Sequence, residues 1–309
     1  MYLEDLLNRF DALKRGRRTR PGETLRELGH FSTQALELLG TRASPHGIAW
    51  QGPGDKTYSV YSDRADDAPW SRAVNDGLFI GDPDEFSVGF RRLADRAEAA
   101  RGALTIEEFT TQDLDRLVYT AAMSFAVATD LYNPSRGLGG TYFEMIVGPV
   151  ISLLTNRVET GDVELPVPGG YGNETVKVDL TFHDPAGGVS LAVPTKISTR
   201  ERISQAFVHA RILETARPGG YRTVLCVINE NNAFITKGAR RSRETIYLRD
   251  TLVPKTIALY QRYVAKLDGL YYLDPPQQYL SGTHAGLPPV NAFGHLLTGD
   301  LNRLLSRTE

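Results

Sequence analysis

The sequence predicts an α/β fold of the α+β type, with a mixed central β-sheet flanked by helices and a helical N-terminal layer. Helical periodicity dominates the first third of the chain, whereas helical and strand-like segments alternate in the C-terminal half. The run TVLCVIN (223–229) is almost continuously apolar, which is typical of a central strand buried on both faces. The stretch 176–205 indicates a hairpin of two strands followed directly by a helix.

Length and composition are those of an ordinary globular protein. The chain has 309 residues, of which 41% are hydrophobic and 23% charged, and this is enough for one large domain or two small ones. No apolar run approaches the ~20 residues that span a bilayer, and residues 1–18 lack a signal-peptide core. The single cysteine, Cys226, lies in an apolar run and is interpreted as core packing. We therefore expect a cytoplasmic protein.

Residues 1–136 are predicted to form a helical accessory region. Its predicted helices span 2–14, 24–39, 87–102 and 111–131, with an irregular stretch between 44 and 86 that contains a few short strand-like pieces. Residues 137–309 are predicted to form the core that carries the chemistry, although the two parts are equally compatible with one integrated domain. In this second part the predicted helices begin near 139, 201, 252 and 290, and the predicted strands lie near 163, 176, 189, 223 and 270.

The predicted hairpin carries the candidate chemistry. Its first strand alternates apolar with polar residues, namely Val176, Val178, Leu180 and Phe182 against Lys177, Asp179, Thr181 and His183. A turn signal at 184–188 precedes a returning strand that reaches Lys196. Asp179 and Lys196 are therefore predicted to meet over one edge of the sheet. The simpler alternative is that each faces solvent without a chemical role.

Upstream, the apolar helix that begins near Gly139 is interrupted by one acid, Glu144. Carboxylates are rarely buried unless they are paired or bound to a metal ion. Glu144 is therefore either an exposed residue of the N-terminal turn, stabilised by the helix dipole, or an acid that faces the predicted hairpin.

The hairpin and the following helix resemble the core of PD-(D/E)xK nucleases. The tail KISTRERISQ (196–205) is more specifically similar to type II restriction endonucleases of the EcoRII-like branch, which cut CCGG- and CCNGG-type sites. Members of that branch carry a lysine, a short polar spacer and an Arg-Glu-Arg or similar cluster. A weaker resemblance extends from about Gly139 through 252–276, roughly the C-terminal half.

The resemblance implies a catalytic site that binds Mg²⁺. Asp179 would be the bridging metal ligand with Glu144 assisting, and Lys196 would position the attacking water or stabilise the phosphate charge. The chain departs from the family pattern at Val178, which replaces the proline of the family name, and at Pro194, which replaces an acid. The branch often places that acid about thirteen residues past the lysine, where this chain has His209. A structural role for His209 is favoured over a metal or phosphate ligand, because imidazole is a poor ligand for Mg²⁺.

The helix start carries the candidate DNA-reading residues Arg200, Glu201, Arg202 and Gln205. Arginine can donate to guanine O6 and N7, while glutamate can accept from cytosine N4, so this cluster suits a G·C pair. Further basic clusters lie at 14–20 and 237–243 despite the net charge of −2. Each of these clusters is alternatively a solvated surface without a partner.

The resulting functional prediction is a Mg²⁺-dependent type II restriction endonuclease that cuts double-stranded DNA at a short palindrome containing G·C pairs. A palindromic site implies a homodimer or tetramer, and a cognate methyltransferase would act on the same site without forming a stable complex. Residues 1–136 would then serve dimerisation or contact the DNA backbone. The alternatives are a non-specific, repair or defence nuclease of the same fold, and a DNA-binding protein that has lost catalysis.

Overall fold

The computed structural model describes residues 3–133, 138–167, 169–200, 203–236 and 246–306. The α-helices are α1 Leu3–Gly16, α2 Pro21–Arg42, α3 Pro83–Ala99, α4 Thr111–Tyr132, α5 Gly139–Thr155, α6 Ile203–Ala216, α7 Pro254–Tyr263, α8 Gln277–Leu280, α9 Phe293–His295 and α10 Leu301–Leu305, with a π-helical turn at Leu296–Asp300. The β-strands are β1 Ala43–Trp50, β2 Tyr58–Asp63, β3 Asp66–Trp70, β4 Val74–Asn75, β5 Glu159–Pro166, β6 Asn173–Phe182, β7 Ser190–Ala192, β8 Thr195–Lys196, β9 Tyr221–Val227, β10 Asn231–Ile235, β11 Ile246–Asp250, β12 Gly269–Tyr272 and β13 Val290–Ala292.

The larger sheet has the order β13-β12-β9-β7-β6-β5, and β8 also pairs with β9. The pairings of β5 with β6 and of β6 with β7 are antiparallel, whereas β7, β9, β12 and β13 are joined by parallel pairings. Helices cover this sheet, so the prediction of a mixed α/β fold is confirmed.

Strand β9 is buried on both faces, as its apolar run predicts. Val224 and Cys226 belong to the main core, the large cluster that contains α5. Leu225 and Val227 belong to a second cluster, here called the α6 core, which includes Phe207. Because neighbouring residues of a strand point to opposite faces, α5 and α6 lie on opposite sides of the sheet.

The N-terminal helices are part of the main core. Phe10 of α1 packs against the rings of Phe125 and Tyr142, with ring centroids 5.2 and 5.4 Å away. The same cluster continues to Leu305 in α10. The smaller sheet, β10-β11-β1-β2-β3, also joins the two parts of the chain, because β1 pairs with β11 in parallel.

Several predicted boundaries differ from the structure. The stretch 44–86, predicted to be largely irregular, contains most of four strands. The predicted helix at 252–267 is shorter, Pro254–Tyr263, and the predicted final helix begins with the strand Val290–Ala292. Within the described residues, no helix is both long and apolar enough to cross a bilayer.

Gly294 lies where the last helical segment meets α4, and its amide donates to Asp115 Oδ1 at 2.7 Å. A Cβ added here would collide with the backbone carbonyl oxygen of Thr111. We expect Gly294→Ala to lower the free energy of unfolding by roughly 1–3 kcal/mol. Gly299→Ala is the control, because its Cβ would meet open space and helical alanine is favoured by about 0.5–1 kcal/mol. Urea unfolding of the two variants would contradict this expectation if their stabilities were equal.

Candidate active site

The site forms where β8 separates from β6. Val193 N donates to Leu180 O at 2.8 Å, which continues the backbone pairing of β6 with β7. Pro194 has no N–H to donate. At Thr195 the backbone amide donates instead to the Asp179 carboxylate, Oδ2, at 2.9 Å. An aspartate side chain thus replaces the backbone acceptor, and β8 pairs with β9.

The structure brings Asp179 and Lys196 together. Lys196 Nζ lies 2.6 Å from Asp179 Oδ2, and the two side chains are 16% and 30% exposed. An acid and a lysine on diverging strands therefore share one partly open edge of the sheet.

The predicted single apolar face of β6 is not formed. Val178 packs in a small cluster with Leu213 of α6, whereas Leu180 belongs to the main core on the opposite side. The pairing register of β5 and β6 shifts between Thr160 and Asp162, next to Asp179. Between these pairs β5 has one residue and β6 has three, Asp179 among them, and such an irregularity re-aims the neighbouring side chains.

His209 of α6 is half-buried near this pair. Burial lowers the pKa of its imidazole, while Asp179 raises it and Lys196 lowers it. Both charges therefore lie close enough to His209 to act on its imidazole. Its predicted structural role, and the rival role as a ligand, both stay predictions.

Glu144 is bound to an arginine. Arg17, in the turn after α1, is 5% exposed and places Nη2 2.7 Å from Glu144 Oε1 and 2.8 Å from Glu159 Oε1. Glu159 is 1% exposed, and burial raises the pKa of its carboxyl although Arg17 and Arg18 lower it. Glu144 therefore lies beyond the N-terminal turn of α5 and is paired, which differs from the exposed alternative considered above.

The residues present fit a Mg²⁺ ion held mainly by Asp179. Among the described residues, the hydrogen bonds that reach this carboxylate end on Oδ2. Mg²⁺ is commonly bound through one or two carboxylates together with substrate phosphates and water. No group of three or more His, Cys, Asp or Glu side chains suited to a metal ion occurs in the described part of the chain. The donor set thus suits an ion that the DNA phosphate helps to bind.

Of the four candidate DNA-reading residues, the structure describes Arg200, which precedes α6, and Gln205. Arg200 is partly buried and its Nη2 donates to Asn231 O at 3.3 Å, while Gln205 is exposed on the first turn of the helix. Glu201 and Arg202 lie outside the described residues, as does the basic cluster at 237–243.

Sequence reasoning missed the Arg17–Glu144–Glu159 triad. Arg17 was predicted only as one member of a basic cluster, and its contact with Glu144 joins residues 127 positions apart. Glu159 carried no local signal either, because the register of β5 shifts between it and Val163, which packs with Leu213 of α6.

Comparison with solved structures gives one strong likeness. The chain is similar to the type IIP restriction endonuclease Kpn2I, with 25% sequence identity, a TM-score of 0.75, and coverage of 94% of this chain and 95% of that one. The chain also matches a restriction endonuclease PspGI–substrate DNA complex over 72% of this chain and 92% of that one. At 12% identity and a TM-score of 0.42, that likeness is weak. Neither family models nor curated protein sequences give a significant match. The chain therefore has the restriction-endonuclease fold, and its likeness to a type II enzyme supports a nuclease that cleaves DNA.

Proposed function

We propose that this chain is a type II restriction endonuclease that uses Mg²⁺ to hydrolyse double-stranded DNA at a short palindrome containing G·C pairs. The observation that carries the proposal is the 2.6 Å contact between Asp179 and Lys196 on diverging strands of a restriction-endonuclease fold. The recognition sequence is proposed to be of the CCGG or CCNGG type, on the strength of the KISTRERISQ motif.

Asp179 would hold the Mg²⁺ ion, which neutralises phosphate charge and activates water when bound. Thr195 fixes the orientation of this carboxylate by donating its amide. The ammonium group of Lys196, which contacts Asp179, would instead contact the scissile phosphate when DNA is bound. There it would stabilise the negative charge that develops during hydrolysis. Glu144 is proposed to assist through water molecules of the ion's hydration shell, and Arg17 would fix the position of its carboxylate.

Recognition is assigned to the start of α6. Arg200 and Glu201 would read a G·C pair, and Arg202 and Gln205 would contact neighbouring bases or phosphates. A symmetric cut requires two copies of this surface, so a homodimer or tetramer is proposed, with residues 1–136 as the candidate dimerisation or backbone-contacting region. A methyltransferase of matching specificity would protect the host site.

Digestion of plasmid and phage DNA with and without Mg²⁺ tests the proposal. Discrete fragments that require Mg²⁺ are the expected result. A smear would instead favour a non-specific nuclease, and a gel shift without cutting would favour a DNA-binding protein that has lost catalysis.

Arg200→Ala is expected to weaken binding to the specific site by about 1–3 kcal/mol per lost base contact. Non-specific binding should change little, because phosphate contacts supply most of it. Arg211→Ala, at an exposed position of α6, the helix that follows Arg200, is the matched control. Gel shifts with the specific duplex and with a duplex altered at one G·C pair measure the difference. Equal losses in the two variants would contradict the assignment.

A further inference from the structure

Two stretches that follow the site run side by side, residues 196–200 and residues 228–231. Ile228 N donates to Lys196 O at 3.1 Å, and Asn229 N donates to Ile197 O at 3.1 Å. At the next position a side chain takes over, because the amide of Thr199 donates to Glu230 Oε1 at 2.8 Å. The segment that leads from the candidate catalytic lysine to the DNA-reading arginine is therefore fixed to the end of the central strand.

Glu230 is buried at an energetic cost. It is 0% exposed, and its Oε1 accepts a second hydrogen bond from Tyr272 OH at 2.8 Å. Burial raises the pKa of its carboxyl to about 7, against the lowering effects of Thr199, Tyr272 and Arg200. An apolar residue would fill the same space at a lower cost, so packing alone does not account for a hydrogen-bond acceptor here.

The position of the Glu230 carboxyl explains better why a hydrogen-bond acceptor is buried here. Thr199 directly precedes Arg200, whose guanidinium reaches Asn231 O at 3.3 Å. Without an acceptor at Glu230, the Thr199 amide would be a buried donor without a partner and the segment would shift to find one. Such a shift would move Arg200 relative to Lys196.

We propose that Glu230 is a positioning residue for DNA recognition, which holds the Thr199 amide so that Arg200 and Lys196 keep a fixed spacing. The proposal rests on the nuclease function proposed above. It assigns to Glu230 no contact with DNA, metal ion or water nucleophile.

Three variants separate positioning from packing. Glu230→Gln keeps an acceptor oxygen for the Thr199 amide, whereas Glu230→Leu keeps the approximate volume and removes the acceptor. Tyr272→Phe removes the other hydrogen bond to Glu230 and leaves the Thr199 contact in place. If Glu230→Leu does not fold, Glu230→Asp, which is shorter by one methylene group, gives the same test.

Two measurements are made on each full-length variant. Hydrogen exchange of the peptide that contains Thr199 reports the hold on the segment without any need for DNA. Cleavage of a duplex with the site found by phage-DNA digestion, compared with a duplex altered at one G·C pair, reports recognition.

The expected result has two parts. In Glu230→Leu the Thr199 amide exchanges at least about 10-fold faster, and the preference for the specific duplex falls about 10-fold or more, as for a lost base contact. Glu230→Gln and Tyr272→Phe retain both properties to within about 3-fold, because the acceptor for Thr199 persists.

Three outcomes would overturn the inference. The first is unchanged exchange or unchanged site preference in Glu230→Leu. The second is a Glu230→Gln protein as impaired as Glu230→Leu, and the third is a Tyr272→Phe protein that reproduces the loss. If the unmodified protein gives no discrete fragments, the proposed function fails and the recognition role fails with it, while the exchange data still show whether Glu230 holds the segment.

Discussion

Lys196→Met is expected to slow DNA cleavage by roughly 100- to 1000-fold, the usual effect of removing one preorganised charge from a reaction centre. The methionine keeps most of the aliphatic stem but leaves Asp179 without the ammonium group that lies 2.6 Å away.

Asp179→Asn should reduce cleavage below detection, because a neutral amide is a poor ligand for Mg²⁺. Both variants should still bind DNA, since the base contacts and most of the phosphate contacts are proposed to lie on other residues.

Lys177→Met is the matched control for this pair. Lys177 is an exposed residue of β6, two positions before Asp179, so the same substitution there changes the net charge equally. Plasmid cleavage rates and gel shifts without a divalent ion would be measured on all the variants. A Lys196→Met protein that cuts at the unmodified rate would show that the catalytic site is elsewhere.

Arg17→Met is expected to cost roughly 3–5 kcal/mol of stability, the range for removing one member of a buried ion pair. Arg17 is 5% exposed and contacts both Glu144 and Glu159, and Glu159 is itself 1% exposed. Arg18 would stay near Glu159 in this variant: its Nε lies 3.5 Å from Glu159 Oε1, but its side chain is 45% exposed. The loss should be smaller at pH 5 than at pH 8, because a protonated Glu159 carries no charge to bury.

Arg20→Met in the same basic cluster is the control. Its side chain is 72% exposed and pairs with Glu23 on the surface at 3.3 Å, so its loss should cost less than about 1 kcal/mol. The double variant Arg17→Met/Glu159→Gln should recover much of the stability, since it removes the unpaired charge as well. Urea unfolding measures all three variants, and equal effects of the two arginine substitutions would contradict a buried triad.

Local pattern was sufficient for much of the fold. The apolar run 223–229 predicted a strand buried on both faces, and the structure places β9 between the main core and the α6 core. The first strand, by contrast, has a sequence, ASPHGIAW, without clear alternation. Its strand conformation depends on pairing with β2 and with the distant β11, which a local pattern does not contain.

The site was predicted in part for the same reason. Asp179 lies on β6, and Lys196 follows β7, the strand that pairs with β6, so strand alternation and a short turn were sufficient to place them near each other. The register shift opposite Asp179 has no local signal and depends on how β5 meets β6. The partners of Glu144 and Glu230 come from other parts of the chain, and such contacts emerge only from tertiary packing.

The divergence of β8 from β6 has a mechanical consequence. Past Val193 the two strands are linked through one carboxylate oxygen rather than through a ladder of peptide groups. A cation or phosphate between them would therefore compete with side-chain contacts of Asp179, and the backbone hydrogen bonds of the sheet would stay intact. A displacement of β8 at this point would therefore leave the pairing of β9 with β7 and β12 in place.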